Sequence, residues 1–218
     1  MVTLAPTFPL HQLRLAPGSV VTLSQVSWSA YEALLETFGD RPALRLTYDR
    51  GTLHLQMPLP KHEKAKALLG ACLTLLLDEW DLESECLGST TLKSQTLNQG
   101  IEPDDCFYIT HQAAVRGKDR LDLDGGDPPP DLAIEVDNTS PRDLRLYHRL
   151  GVPEVWVYNG EILIIYHRTA TGYQPSPTSQ FFPGLPLAAA IAEHLMLNQT
   201  QGRTAILKRF RAWVQSQR

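Results

Sequence analysis

Apolar positions along the chain change their period several times, and each change marks an element. Tyr31, Leu34, Leu35 and Phe38 fall at i, i+3, i+4 and i+7 beside the capping pattern Ser29-x-x-Glu32, and Gly39 stands where such a helix would stop. Residues 43–48 (ALRLTY) and 52–57 (TLHLQM) alternate instead, with Asp49-Arg50-Gly51 between them. This predicts a β-hairpin whose second strand puts Leu53, Leu55 and Met57 on one side. Pro58 and Pro60 break that strand, and helical period returns as far as Trp80. Ala65, Leu68, Leu69, Cys72, Leu73, Leu76 and Trp80 form a stripe that needs a sheet to cover.

Further strands are predicted near 85–93, 105–110, 131–137, 154–158 and 161–167. The last two meet at Asn159-Gly160, a dipeptide that favours a two-residue type I′ turn. Between the 131–137 and 154–158 strands, 142–150 repeats Leu144, Tyr147 and Leu150 at helical spacing, and 116–130, ending GGDPPP, reads as a surface loop. Past Pro183 two more helices are expected, 186–198 and 203–215, the second with Ile206, Leu207, Phe210, Trp213 and Val214 on one side. Residues 203–218 hold five basic residues (Arg203, Lys208, Arg209, Arg211, Arg218) and no acid, so this helix is either a packed terminal element with a solvated cationic face or a nucleic-acid contact. No repeat, low-complexity tract or linker divides the 218 residues, which predicts a single domain over 1–218.

Charge and composition narrow the chemistry. Twenty Lys and Arg against 24 Asp and Glu give a net charge of −4, so any nucleic-acid contact must be local rather than a property of the whole surface. Without an apolar run of about 18 residues or the apolar core of a signal peptide, the chain is expected to be cytoplasmic. The sequons at Asn138 and Asn198 then carry no weight. Cys72, Cys86 and Cys106 are too few and too scattered for a disulfide framework or a zinc site, and the seven histidines show no ligand spacing. Nucleotide hydrolases, serine esterases and zincins lose weight because no phosphate loop, Gly-x-Ser-x-Gly elbow or His-Glu-x-x-His pair is present. Two sets of cations, Lys61, Lys64 and Lys66, and Arg116, Lys118 and Arg120, either track a phosphate backbone or form solvated faces.

The informative segments are GIEPDDCFYI (100–109) and PPPDLAIEVDN (128–138), because each sets acids at or inside an apolar strand. Strand alternation sends Leu132, Ile134 and Val136 to one face and Ala133, Glu135 and Asp137 to the other, with same-face neighbours about 6 to 7 Å apart. Burying such carboxylates costs several kcal/mol, on the order of 3–5, unless each is paired or binds a cation. If the two strands are neighbours, Asp104 and Glu135 can share a divalent ion, and hard oxygen ligands with an incomplete shell suit Mg²⁺ or Mn²⁺ in phosphodiester hydrolysis. The competing reading makes Asp104 and Asp105 turn acids and gives Glu135 a salt bridge to an arginine.

In combination, LTYDRGTLHLQMPLPKHE, GSTTLKSQTLNQGIEPDDCFYI, PPPDLAIEVDNTS and LYHRLGVPEVWVYNGEILIIY resemble the Uma-two family of restriction-endonuclease-like proteins in the PD-(D/E)xK nuclease superfamily, over roughly residues 27–195. The resemblance implies an α/β (α+β) fold with a mixed central sheet flanked by helices, an N-terminal hairpin, and DNA as substrate. It also implies that Asp104 and Glu135 are metal ligands, with Glu63 as a further candidate that could equally be a first-turn acid favouring the helix dipole. The departure lies in the cation. The superfamily places lysine two residues after Glu135, where this chain has Asp137, and the Uma-two family often places one four residues before the helical tyrosine, where this chain has Asp143. Arg142 or Arg145 could substitute, with Arg145 favoured and Lys93 as the alternative donor; otherwise the fold serves as a catalytically degenerate nucleic-acid or protein-binding module. A homodimer is expected on the generic ground that a two-fold enzyme matches duplex DNA.

Overall fold

The computed structural model describes residues 15–38, 44–136 and 144–218, so Gly39, Asp137, Arg142 and Asp143 lie outside the described residues. In chain order the elements are β1 (Val20–Leu23), α1 (Trp28–Phe38), β2 (Arg45–Asp49), β3 (Thr52–Gln56), α2 (Pro60–Glu79), β4 (Glu85–Cys86), β5 (Leu92–Ser94), β6 (Gln99–Ile101) and β7 (Asp105–Tyr108). There follow α3 (Gln112–Val115), β8 (Leu132–Val136), α4 (Leu144–Leu150), β9 (Glu154–Tyr158), β10 (Leu163–Arg168), β11 (Tyr173–Ser176), α5 (Leu187–Met196) and α6 (Arg203–Gln215). The result is a mixed α+β architecture with two sheets. No helix of the described residues is long and apolar enough to cross a membrane.

The first sheet has the order β1-β3-β2-β6-β5, with antiparallel pairs throughout. Its hairpin is the expected one: Asp49 pairs with Thr52, and Arg50 and Gly51 take φ of 47° and 93°, the two positive values a type I′ turn requires. Helix α1 covers this sheet, packing Tyr31, Leu34 and Phe38 on Leu46, Tyr48, Leu53 and Leu55. Its cap differs from expectation. Ser27 Oγ accepts the Ala30 N–H at 3.2 Å, so Ser27 rather than Ser29 opens the helix, and Glu32 accepts instead from Lys93 Nζ at 2.9 Å.

The second sheet has the order β11-β10-β9-β8-β7-β4 and is mixed: β8 and β9 run parallel, joined through α4, and the other pairs are antiparallel. Helices α2, α5 and α6 cover one face, where the stripe of α2 meets Leu132, Ile134 and Val136. On the other face Leu146, Tyr147 and Leu150 of α4 pack on Ala133 and Val155, and the same cluster takes in Leu92 and Ile101 of the first sheet. Helix α4 thus stands where the two sheets approach each other. All five residues of β8 are buried, which explains why its sequence reads as an almost unbroken apolar run.

Three expectations are corrected. The strand predicted over 85–93 is two strands in different sheets, because the chain turns at Gly88 (φ 60°) and leaves β4 for β5. The β9–β10 connection is not a two-residue turn: Tyr158 pairs with Leu163, and Asn159 Oδ1 accepts the N–H groups of Glu161 and Ile162 at 3.0 and 2.9 Å, an Asx arrangement that holds a four-residue loop. The short elements β1, β6, β11 and α3 were not anticipated, since three or four residues are too few to display a period.

Candidate functional site

Strands β7 and β8 pair Asp105 with Ile134 and Cys106 with Ala133, and one further step of the same register sets Asp104 opposite Glu135. Facing residues of an antiparallel pair project to the same side, so the two acids flank one spot at the end of the strand pair. Both are buried, at 5% and 1% exposure. Each is also held. Asp104 Oδ2 accepts the Val136 N–H at 2.7 Å, and Glu135 Oε1 accepts a short hydrogen bond from the Tyr147 hydroxyl. The alternation of β8 is the cause: Glu135 shares the face of Ala133, against which α4 packs, while Ile134 and Val136 turn to α2.

The charge beside this pair comes from the other sheet. Arg45, the first residue of β2, is 4% exposed; its Nε lies 3.8 Å from Asp104 Oδ1 and its Nη2 3.7 Å from Glu63 Oε1. Glu63 and the buried His62 belong to the first turn of α2, which begins at Pro60 as helices favour. Glu102, on the crossing from β6 to β7, accepts the Leu46 N–H at 2.8 Å and the Thr91 hydroxyl at 3.0 Å, locking the β2 end that carries Arg45 to the segment that carries Asp104.

Sequence reasoning missed Arg45. Its signal was an arginine at the polar position of an alternating run, which reads as solvent-facing unless the neighbouring chain is known to cover that face. Tyr147 was visible only as part of a motif, without a role.

The other candidates are placed apart. Lys93 Nζ pairs with Glu32 and lies 6.0 Å over the Trp28 ring, on the α1 side of the first sheet. Arg145 is exposed on α4, about 200° round the helix from Tyr147. Asp105 turns to the opposite face from Asp104, where its Oδ1 accepts the Cys106 N–H at 2.9 Å and the Cys86 thiol at 3.2 Å. Burial pushes its carboxyl above the ordinary 3.8. Burial, and then the Asp105 carboxylate, push the Cys86 thiol up to about 11.

Chemically the site offers two buried carboxylates and a buried guanidinium. Among the described residues no three or more His, Cys, Asp or Glu side chains form a ready metal cage. Two hard oxygen donors still fit a Mg²⁺-type ion, which retains water and completes its shell from substrate.

No curated protein matches the chain. Among solved structures, a putative nuclease belonging to DUF820 from Anabaena variabilis is similar at 14% identity and a TM-score of 0.48, over 70% of this chain and 91% of its own. The family model Uma2, described as "Putative restriction endonuclease", matches residues 28–198, well over half of the sequence, and the protein belongs to that family.

Proposed function

We propose that the protein is a metal-dependent endonuclease that hydrolyses phosphodiester bonds in DNA, with Asp104 and Glu135 holding Mg²⁺ or Mn²⁺. The observation that carries this reading is the pair of buried carboxylates at the end of the β7–β8 pair, Glu135 inside β8 and Asp104 just before β7 and bonded to the Val136 N–H. Like charges so placed repel each other unless they share a cation. When bound, such an ion supplies Lewis-acid polarisation of a phosphoryl oxygen and a water of lowered pKa. Tyr147 fixes the orientation of Glu135, and the Val136 N–H does the same for Asp104. Glu63 meets the charge of Arg45 first, and Asp137, two residues after Glu135, stays a further candidate acid.

To Arg45 we assign the role of the lysine that the motif lacks. A guanidinium can take two phosphate oxygens side by side, and, being always protonated, it stabilises developing negative charge rather than acting as a base. Arg145 and Lys93 serve less well, because one lies on the exposed side of α4 and the other neutralises Glu32.

The test is incubation of purified protein with supercoiled plasmid and with single-stranded DNA in Mg²⁺, Mn²⁺ or EDTA, beside Asp104→Ala and Arg45→Ala. The proposal expects metal-dependent cleavage, lost in Asp104→Ala and slowed on the order of a hundredfold or more in Arg45→Ala. A second reading, a binding module without catalysis, is favoured by the position of Arg45, which balances Asp104 with no ion at all. It expects salt-sensitive DNA binding and no cleavage in either metal. We further propose a homodimer, which sedimentation showing only monomer at micromolar concentration would contradict.

A further inference from the structure

A groove of about 490 Å³ opens beside the first turn of α2, and neither Asp104 nor Glu135 lines it. One wall is Lys61, Lys64 and Ala65, which fall at i, i+3 and i+4 and so share a face of α2. Tyr158 and the Asn159–Glu161 loop form a second wall, and Asn198 and Gln199, just beyond α5, form a third. The lining is polar and carries two lysines against one acid, Glu161. Among the described residues no ion pair joins either lysine to a carboxylate.

Its position gives the groove a meaning. Tyr158 is the register partner of Val136 across the parallel β8–β9 pair, and Val136 is the residue whose N–H holds Asp104. The inner wall therefore stands on the α2 face of the strand next to β8, while Glu135 turns to the α4 face at the same end of the sheet, so a DNA strand passing round that end meets both. The α2 turn that presents Lys61 and Lys64 to the groove also presents Glu63 to Arg45. Both sites thus sit on opposite sides of one helical turn.

We propose that this groove receives the phosphate backbone of the DNA strand flanking the scissile phosphate, with Lys61 and Lys64 as its phosphate contacts. The proposal rests on the nuclease reading of the acid pair and adds the path of its substrate. Exposed lysines on short-range tethers suit this task, since an ammonium contacts phosphate as a point charge and needs no fixed fork. The side-chain amides of Asn198 and Gln199 offer neutral donors, which position a backbone without reading sequence. Glu161 opposes binding and sets a ceiling on it.

The experiment is fluorescence anisotropy of a labelled duplex with the full chain in EDTA, over a range of salt. Wild type is compared with Lys61→Ala/Lys64→Ala, with Glu161→Gln, and with Lys208→Ala, on the cationic face of α6 outside the groove lining, as a control; circular dichroism checks that each variant is folded. Each lost phosphate contact lowers the slope of log affinity against log salt by about 0.9. The double variant should lose nearly two from the slope and roughly tenfold or more in affinity near 0.1 M salt. Glu161→Gln should bind more tightly and Lys208→Ala should match wild type. If wild type binds DNA and the double variant keeps both affinity and slope, the groove assignment is wrong while the nuclease reading stands. If wild type binds no duplex in EDTA, the groove assignment falls, while cleavage of plasmid or single strand in Mg²⁺ or Mn²⁺ decides the nuclease reading separately. If the double variant and Lys208→Ala weaken binding equally, the attraction is diffuse surface charge and the groove has no special part in it.

Discussion

Tyr147 places an O–H on a carboxylate that the fold has taken out of water. Removing one partner from a buried polar pair costs more than the hydrogen bond's net worth, because the other partner keeps its desolvation penalty. Tyr147→Phe should therefore lower stability by about 1–3 kcal/mol in urea unfolding with the m-value unchanged. Asp105 presents the opposite problem. Its folded pKa is raised, chiefly by burial, so the stability associated with the protonated form is fully present below the unfolded value of 3.8 and is lost as pH rises through the folded pKa. Asp105→Asn does not titrate; its urea midpoint should gain on wild type between pH 4 and pH 7, and a constant difference across that range would show that burial does not perturb the carboxyl. These residues also mark what a sequence can disclose. Glu135 was legible because an acid inside an apolar strand breaks the rule that buried charges need partners. Arg45 was not, because its partners lie 18 and 59 residues away in sequence (63 − 45 and 104 − 45), and no local pattern encodes contacts of that range.

Elements with their own period were legible, and their partnerships were not. Helix α2 announced its buried stripe and the β2–β3 hairpin its turn, both local properties of the chain. The predicted 85–93 strand failed because its two ends are apolar enough to pair but belong to different sheets, a choice made by distant strands. The docking of α1 on the first sheet shows how tight such partnerships become. A Cβ added at Gly100 of β6 would stand 2.1 Å from the Tyr31 hydroxyl and 2.7 Å from the ring carbon that bears it, while Tyr31 is itself stacked on Tyr48. The ring has nowhere to move without unstacking. Gly100→Ala should cost about 1–3 kcal/mol or more by overpacking. Adding Tyr31→Phe should recover only part of that loss, because the ring carbon still clashes. Thermal unfolding of the two variants checks both points, and full recovery in the double variant would place the strain on the hydroxyl alone.

At the scale of the whole molecule the first sheet is tied to its surroundings by charged groups at both ends of β2: Arg45 between Asp104 and Glu63 with Glu102 to Leu46 and Thr91 at its start, and Arg149 of α4 to both oxygens of Asp49 at 2.9 Å at its end. Separating either sheet would break these contacts together, and we propose that the chain unfolds as one cooperative unit. Of the candidate metal ligands, Glu135 lies in β8 and Asp104 just before β7, and the cation beside them comes from the first sheet, so the unfolded chain cannot present them together. An ion bound there stabilises the folded state by mass action, by about 2.7 kcal/mol at a hundred times its Kd. Mn²⁺ should therefore raise the midpoint of a single thermal transition, by roughly 2–4 °C per kcal/mol for a chain of this size. Glu135→Gln should abolish most of that rise, whereas Glu63→Gln should leave it nearly intact, because Glu63 answers to Arg45 rather than to the acid pair. A rise that survives in Glu135→Gln would move the ion elsewhere. A rise lost equally in both variants would draw Glu63 into the metal shell and require Arg45 to swing away from Asp104 when the ion binds.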